Sequence, residues 1–265
     1  MSPTPILYIR ISSDDLTLAR SIGQKTLVFR HRLNRRVSFT LNLREALAEA
    51  PAAITAEATQ AQVYVTAPVS VIPIQEFSES EAPAHHAATF RPEHKSRILC
   101  DGIPTLESVL VYAIPENVCH ALEDSFPHTR YHNALTPMLQ RGSLSVNEEY
   151  TVLAYAHEDK TDVIMWEGRK LLALNTFTTK HTDDAVFFIL GMAQALGIPA
   201  ENLRSVVVGD NRMRTALIEA LSRFLTTEDG DVSNTFTTRS SDIPLPYPLA
   251  CALAISQASA NKGTR

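Results

Sequence analysis

Apolar and polar positions trade places in short runs at the start of the chain. "ILYIRIS", "LTLARSI" and "TLVFRHRL" are β-branched and aromatic stretches interrupted by "SDD" and "GQK". Polar pairs and a glycine between such runs predict three antiparallel strands joined by tight turns. "LNLREALAEAP" then sets Leu43, Ala46, Leu47 and Ala50 on one helical face, with Pro51 as the stop. "AQVYVTAP" reads as a buried strand, and the polar, Ala-rich residues 78–97 as a helix or a mobile loop. "ESVLVYAIP" reads as a strand, "PENVCHALEDSF" as a helix opened by Pro115, and "NALTPMLQR" as a further helix.

The pattern then starts again. "YTVLAYA", "TDVIMW" and "LLALNTFTT", separated by "HEDK" and "EGRK", predict three more strands and two tight turns. "TDDAVFFILGMAQALG" predicts a helix with Thr182 as N-cap, Asp183 and Asp184 at its positive end, and Gly197 as its stop. Its opening turns are apolar nearly all round, which predicts burial. "LRSVVVGDN" reads as a buried strand, residues 212–225 as an amphipathic helix and "SNTFTTRS" as a fifth strand. "IPLPYP" leads into a last helix, "LACALAISQAS". One offset of 145 lays Asp14 on Asp159, Gly23 on Gly168 and Lys25 on Lys170. Asp and Gly-x-Lys are common in hairpin turns, but the shared order of elements favours an internal duplication, with halves at 1–145 and 146–265.

Composition narrows the function. With 45% apolar residues, 20% charged residues and a net charge of −5, the chain lacks a global basic field for nucleic acid or anionic membranes. The longest apolar runs, such as residues 185–190, are too short for a bilayer. The opening lacks the basic start and apolar stretch of a signal peptide. Three widely spaced cysteines argue against a disulfide framework or structural zinc, and fit a reducing cytoplasm. Nine glycines are about half the ordinary share of roughly 7%, and none are grouped as a phosphate-cradling turn requires.

Two units of three meandering strands followed by helix–strand–helix resemble the actin-like ATPase (ribonuclease H-like) fold. The similarity is carried by "LYIRISSDDLTLA", "NTF" at residues 175–177, "DDAVFF", "VVVGDN" and the closing "LACALA". Among its relatives the chain is similar to an uncharacterised Bacteroidetes family with a reduced form of that fold. The resemblance implies an α/β protein of two subdomains, each with a mixed sheet flanked by helices. In active relatives the first strand of each half ends Asp-x-Gly, the Asp serving metal and the Gly admitting phosphate. Here those places fall to Arg10 and Ser12, and to Tyr155 and His157, while the adenosine loop keeps only Gly209. Neither Arg nor Tyr replaces a metal-binding carboxylate. The expectation is a binding or scaffolding module with an unknown protein partner, no metal or cofactor, no nucleic acid and no ATP binding. The alternative is a nucleotide-dependent phosphotransferase with rearranged loops.

The candidate cleft residues are thus Ser12, Asp14, His157, Asp159, Gly209 and Asp210. Asp14 and Asp159 either hold a metal one place along the turn or shape the turn through Asx hydrogen bonds, the plainer reading. Gly209, Asp210 and Asn211 either border a ligand cleft or form a capped strand-to-helix turn, again the plainer reading. His85, His86 and His94 lack a second spaced pair of ligands and read as solvated loop residues. Arg30, His31, Arg32, Arg35 and Arg36 either meet an acidic partner or nucleic acid, or form a solvated connection. Cys119 and Cys251 read as core thiols. The pentapeptide NTFTT at residues 175–179 and 234–238 reads as two edge strands of one sheet, each with a buried Phe (Phe177, Phe236) and a trailing basic residue.

Overall fold

The computed structural model describes residues 6–23, 25–90, 95–142, 150–230 and 243–262. The chain forms two compact units, Met1–Leu139 with Thr235–Arg265, and Gln140–Asn234.

In the first unit, β1 (Ile6–Ile11), β2 (Asp15–Ile22) and β3 (Lys25–Arg32) form the expected meander, followed by α1 (Phe39–Glu49) and the single turn α2 (Ala52–Thr55). β4 (Gln60–Val65) pairs parallel with β1. An insertion follows: β5 (Val69–Pro73), α3 (Ala82–Thr89), β6 (Ser96–Ile103) and β7 (Ser108–Pro115). α4 (Glu116–Ser125), β8 (His128–Asn133) and α5 (Leu135–Gly142) complete the run. The main sheet has the order β3-β2-β1-β4-β8, and the insertion adds a small sheet, β5-β7-β6.

Alternation along β1 sends its side chains to two covers. Leu7, Ile9 and Ile11 pack with Leu43 and Ala46 of α1 and with Cys119 and Leu122 of α4. Tyr8 meets Leu249, Ala252 and Leu253 of α8 (Tyr247–Lys262), and its hydroxyl donates to Ser256 Oγ at 2.9 Å. The last helix thus belongs with the first unit, although it follows the second half in sequence. The cysteines at 119 and 251 are buried as expected.

The small sheet is tied to the main one through Asp101 on β6. Its Oδ1 meets the Tyr112 hydroxyl and His132 Nδ1, each at 3.3 Å. Its Oδ2 accepts from the Asn133 backbone N–H at 2.8 Å and Thr136 Oγ1 at 2.5 Å. Burial, with Asp101 close by, holds the Tyr112 phenol well above its usual range. The stretch read as helix or loop contains α3, and His86 in it is not solvated but 3% exposed. His94 lies outside the described residues. Strands β5, β6 and β8 escaped the sequence pattern. β8, "HTRYHN", is a polar edge strand with only Asn133 fully buried.

The second unit repeats the main-sheet plan with β9 (Tyr150–His157), β10 (Lys160–Glu167), β11 (Lys170–Thr178), α6 (Thr182–Ala195), β12 (Leu203–Gly209), α7 (Asn211–Leu221) and β13 (Thr226–Asp229). Its sheet runs β11-β10-β9-β12-β13, antiparallel among the first three and parallel thereafter, matching the first unit position for position. Both second hairpins turn on a glycine at positive φ, Gly23 at 61° and Gly168 at 56°. β11 is one residue longer than β3 because a bulge beside Met165 and Trp166 inserts an extra position.

Three expectations need correction, and one lies outside the described residues. "SNTFTTRS" falls there, while the fifth strand of this sheet among the described residues is Thr226–Asp229, reached directly after α7 ends at Leu221. Phe236 lies outside the described residues. Phe177 is half-buried rather than fully so, lying on the edge strand β11 against α6. There it stacks on Phe188 with ring centroids 4.3 Å apart. The N-cap of α6 is His181, one residue early, because Asp184 completes a capping box with it. Nor is α6 buried all round: Ala185, Val186 and Ile189 face the sheet, while Phe187 is 71% exposed. No helix of the described residues is long and apolar enough to cross a membrane.

Candidate functional site

In the first unit, β1 delivers Arg10 and Ser12 to the β1–β2 turn. Ser12 is buried, and its Oγ accepts from the backbone N–H of Asp14 at 3.2 Å and of Asp15 at 3.1 Å. The Ser12 N–H closes the same turn onto the Asp15 carbonyl at 3.0 Å. The hydroxyl therefore occupies amide groups that an open turn would turn outward. Arg10, 3% exposed, sits 3.3 Å from Asp15 Oδ1, which also accepts from Thr17 Oγ1 at 3.0 Å. Arg30 lies 4.0 Å from the other Asp15 oxygen, and Arg35 reaches Asp14 at 2.5 Å. Both turn carboxylates thus face guanidinium groups. The Asx hydrogen bonds expected of Asp14 give way to the Ser12 bonds, because the serine sits two residues before it at the strand end.

In the second unit, Tyr155 and His157 stack with ring centroids 4.5 Å apart, both buried. Two carboxylates bracket the imidazole: Asp162 Oδ2 at 3.0 Å from Nε2, and Glu158 at 3.7 Å from Nδ1. Asp162 is itself buried and accepts from Thr176 Oγ1 at 2.6 Å through its other oxygen. Glu158 holds a left-handed backbone, φ 54°, in the two-residue turn with Asp159. Asp159 is exposed; its carbonyl accepts from Thr179 N–H at 2.7 Å, as the Asp14 carbonyl does from Leu33 N–H at 2.8 Å.

Gly209 ends β12 beside Ala156 with φ +126°, and a Cβ there would lie 2.0 Å from the Ala156 carbonyl oxygen. Close backbone approach requires the glycine. Asp210 caps α7, accepting from Arg212 N–H at 3.2 Å. A recess of about 380 Å³ opens between the starts of α6 and α7. Lys180, His181 and Arg212 line it together with Thr161 and Thr179, whose hydroxyls are 2.9 Å apart. Thr179 and Lys180 carried a sequence signal, as the end of NTFTT and its trailing basic residue; Thr161, His181 and Arg212 belong to no site motif. Among the described residues no three His, Cys, Asp or Glu side chains gather as a metal would require.

The profile of a family described as "Protein of unknown function (DUF3822)" matches residues 2–227. The chain belongs to the DUF3822 family. No curated protein matches this DUF3822 chain. Among solved structures it is similar to a Bacteroides thetaiotaomicron VPI-5482 protein with an actin-like ATPase fold and unknown function. The TM-score is 0.74 at 17% identity, over 91% of this chain and 97% of that one. A chain of the PilM–PilN type IV pilus biogenesis complex aligns at TM-score 0.56 and 12% identity, over 89% and 92% of the two chains. An AlfA filament bound to AMPPNP aligns at 0.50 and 10%, over 98% and 99%. At these identities the likeness fixes the fold, which is that of actin-like ATPases.

Proposed function

We propose that this DUF3822 chain is a non-catalytic binding or scaffolding module, whose partner is another protein. The observation that carries the reading is the self-closed β1–β2 turn. A turn that serves a magnesium nucleotide must offer amide groups to phosphate and a carboxylate to the metal. Here the Asp14 and Asp15 amides are taken by Ser12 Oγ, and Arg10 lies against the Asp15 carboxylate. These residues do not suit the group the fold family implies, and no chemical step is derived through it. The matching sheet orders and turn glycines support an internal duplication. The PilM chain, solved in complex with PilN, supports the partner reading by analogy of fold alone. The cysteine usage supports a cytoplasmic location.

A second reading, residual nucleotide binding with phosphotransfer, is favoured by the recess lined by Lys180 and Arg212. Thermal unfolding with millimolar MgATP separates the two. Binding at 100 times Kd adds about 2.7 kcal/mol, and each kcal/mol raises Tm by roughly 2–4 °C at this chain length. The expected shift is within error. A rise of several degrees that vanishes in Arg212→Ala would replace the module reading with the nucleotide one.

A further inference from the structure

Seven of the chain's 24 lysines and arginines fall within residues 16–44, and no aspartate or glutamate does. The other 236 residues therefore carry a net charge of −12, against −5 for the whole. An ordinary solvated surface interleaves the two signs. The fold gathers this stretch on one border of the first sheet: β2, the edge strand β3 and the start of α1.

Three of the seven are engaged. Arg20 donates to the Ile54 and Ala56 carbonyls, Arg30 lies near Asp15, and Arg35 pairs with Asp14. Lys25, Arg32, Arg36 and Arg44 are exposed, with no acidic partner among the described residues. The connecting loop is fixed rather than trailing. Asn34 N–H donates to Asn42 Oδ1 at 2.7 Å, Asn42 Nδ2 donates back to the Asn34 carbonyl at 3.1 Å, and Arg36 N–H meets Asn34 Oδ1 at 3.0 Å. α1 starts beside this loop, capped by Ser38 and with no acidic residue in its first turn, so its positive end adds to the field. Leu41, 41% exposed, offers an apolar contact in that same turn.

We propose that this border docks an acidic protein segment, with carboxylates on Arg32, Arg36 and Arg44 and an apolar side chain on Leu41. Guanidinium forks suit carboxylates, and β3 has a strand on one side only among the described residues, so an extended segment can also pair with its main chain. A short acidic segment fits better than nucleic acid. A long polyanion would leave the basic border and meet a molecule that is otherwise strongly negative. The surface lies apart from the question of nucleotide and holds under either reading of the turns.

Fluorescence anisotropy with the purified full chain tests it. The probe is a short labelled peptide of glutamates with one central leucine, compared with a thymine oligonucleotide of equal length. The peptide is expected to bind at low salt and to weaken as salt rises. R32Q/R36Q, and separately Arg44→Gln, should weaken it, the double variant about tenfold, without a change in Tm. Absence of peptide binding, equal binding by R32Q/R36Q, or tighter binding of the oligonucleotide would overturn the proposal. A two-copy mass by light scattering that R32Q/R36Q reduces to one copy would assign the border to self-association instead, and equally overturn it.

Discussion

At residue scale, two side chains carry more than their place in the sequence suggested. Gly209 was legible as the one survivor of a glycine pair, but its purpose was not. It lets β12 pass against the Ala156 carbonyl, so Gly209→Ala should cost at least about 2–3 kcal/mol in urea unfolding, through clash and a strained φ together. A loss below about 1 kcal/mol would show that β9 and β12 can part to admit a methyl group. His86 illustrates what polarity in a window conceals. Among the described residues neither ring nitrogen has a hydrogen-bond partner, and burial lowers the ring's pKa below its ordinary 6.5. The unfolded chain therefore binds a proton at a higher pH than the folded one does. Stability is complete above about pH 6.5 and falls as pH drops from there toward the folded-state value. Urea unfolding across that window should show a flatter acid limb in His86→Leu than in the parent; equal slopes would remove His86 as the cause.

At element scale, the offset of 145 maps β2 onto β10 residue for residue, and both hairpin glycines with them. Turn chemistry made this readable, since positive φ and polar pairs leave local marks. Edge strands left fewer. β8 is too polar to alternate, and β13 has four residues with none fully buried. The repeated NTFTT pointed to a shared rule, but only its first copy can be placed. Phe177 stacks on Phe188 of α6 while remaining half-exposed, so Phe177→Ala should cost about 1–3 kcal/mol, less than a fully buried ring. A cost near 5 kcal/mol would mean that α6 depends on this ring for docking.

At the scale of the whole molecule, the last helix crosses the boundary that sequence order suggests. Expected halves at 1–145 and 146–265 assign α8 to the second, whereas Leu249, Ala252 and Leu253 pack on β1, β2 and β4. Leu253→Ala should cost about 2–5 kcal/mol. Hydrogen exchange should place the lost protection in β1 rather than β9. Loss confined to β9 would return α8 to the second half. The charge pattern belongs to this scale too, because a basic stretch in a linear sequence says nothing about whether acids elsewhere fold against it. Asp14 and Asp15 do so at one end and Glu45 and Glu49 at His31, while Lys25, Arg32, Arg36 and Arg44 stay open among the described residues.

Local signals alone determined the two meanders, the helices that begin at caps or prolines, and the substitution of Arg10, Ser12, Tyr155 and His157 at the strand ends. These depend on neighbours in sequence, on turn geometry and on side-chain period, all of which act over a few residues. Tertiary structure decided what those substitutions do. That Ser12 closes its own turn, and that His157 finds Asp162 across a hairpin, depends on which strands lie side by side. The recess at Lys180 and Arg212 joins two helix starts separated by β12, and α8 covers a strand near the opposite end of the sequence. Burial and pairing between distant segments are set by packing, for which no single window holds the information.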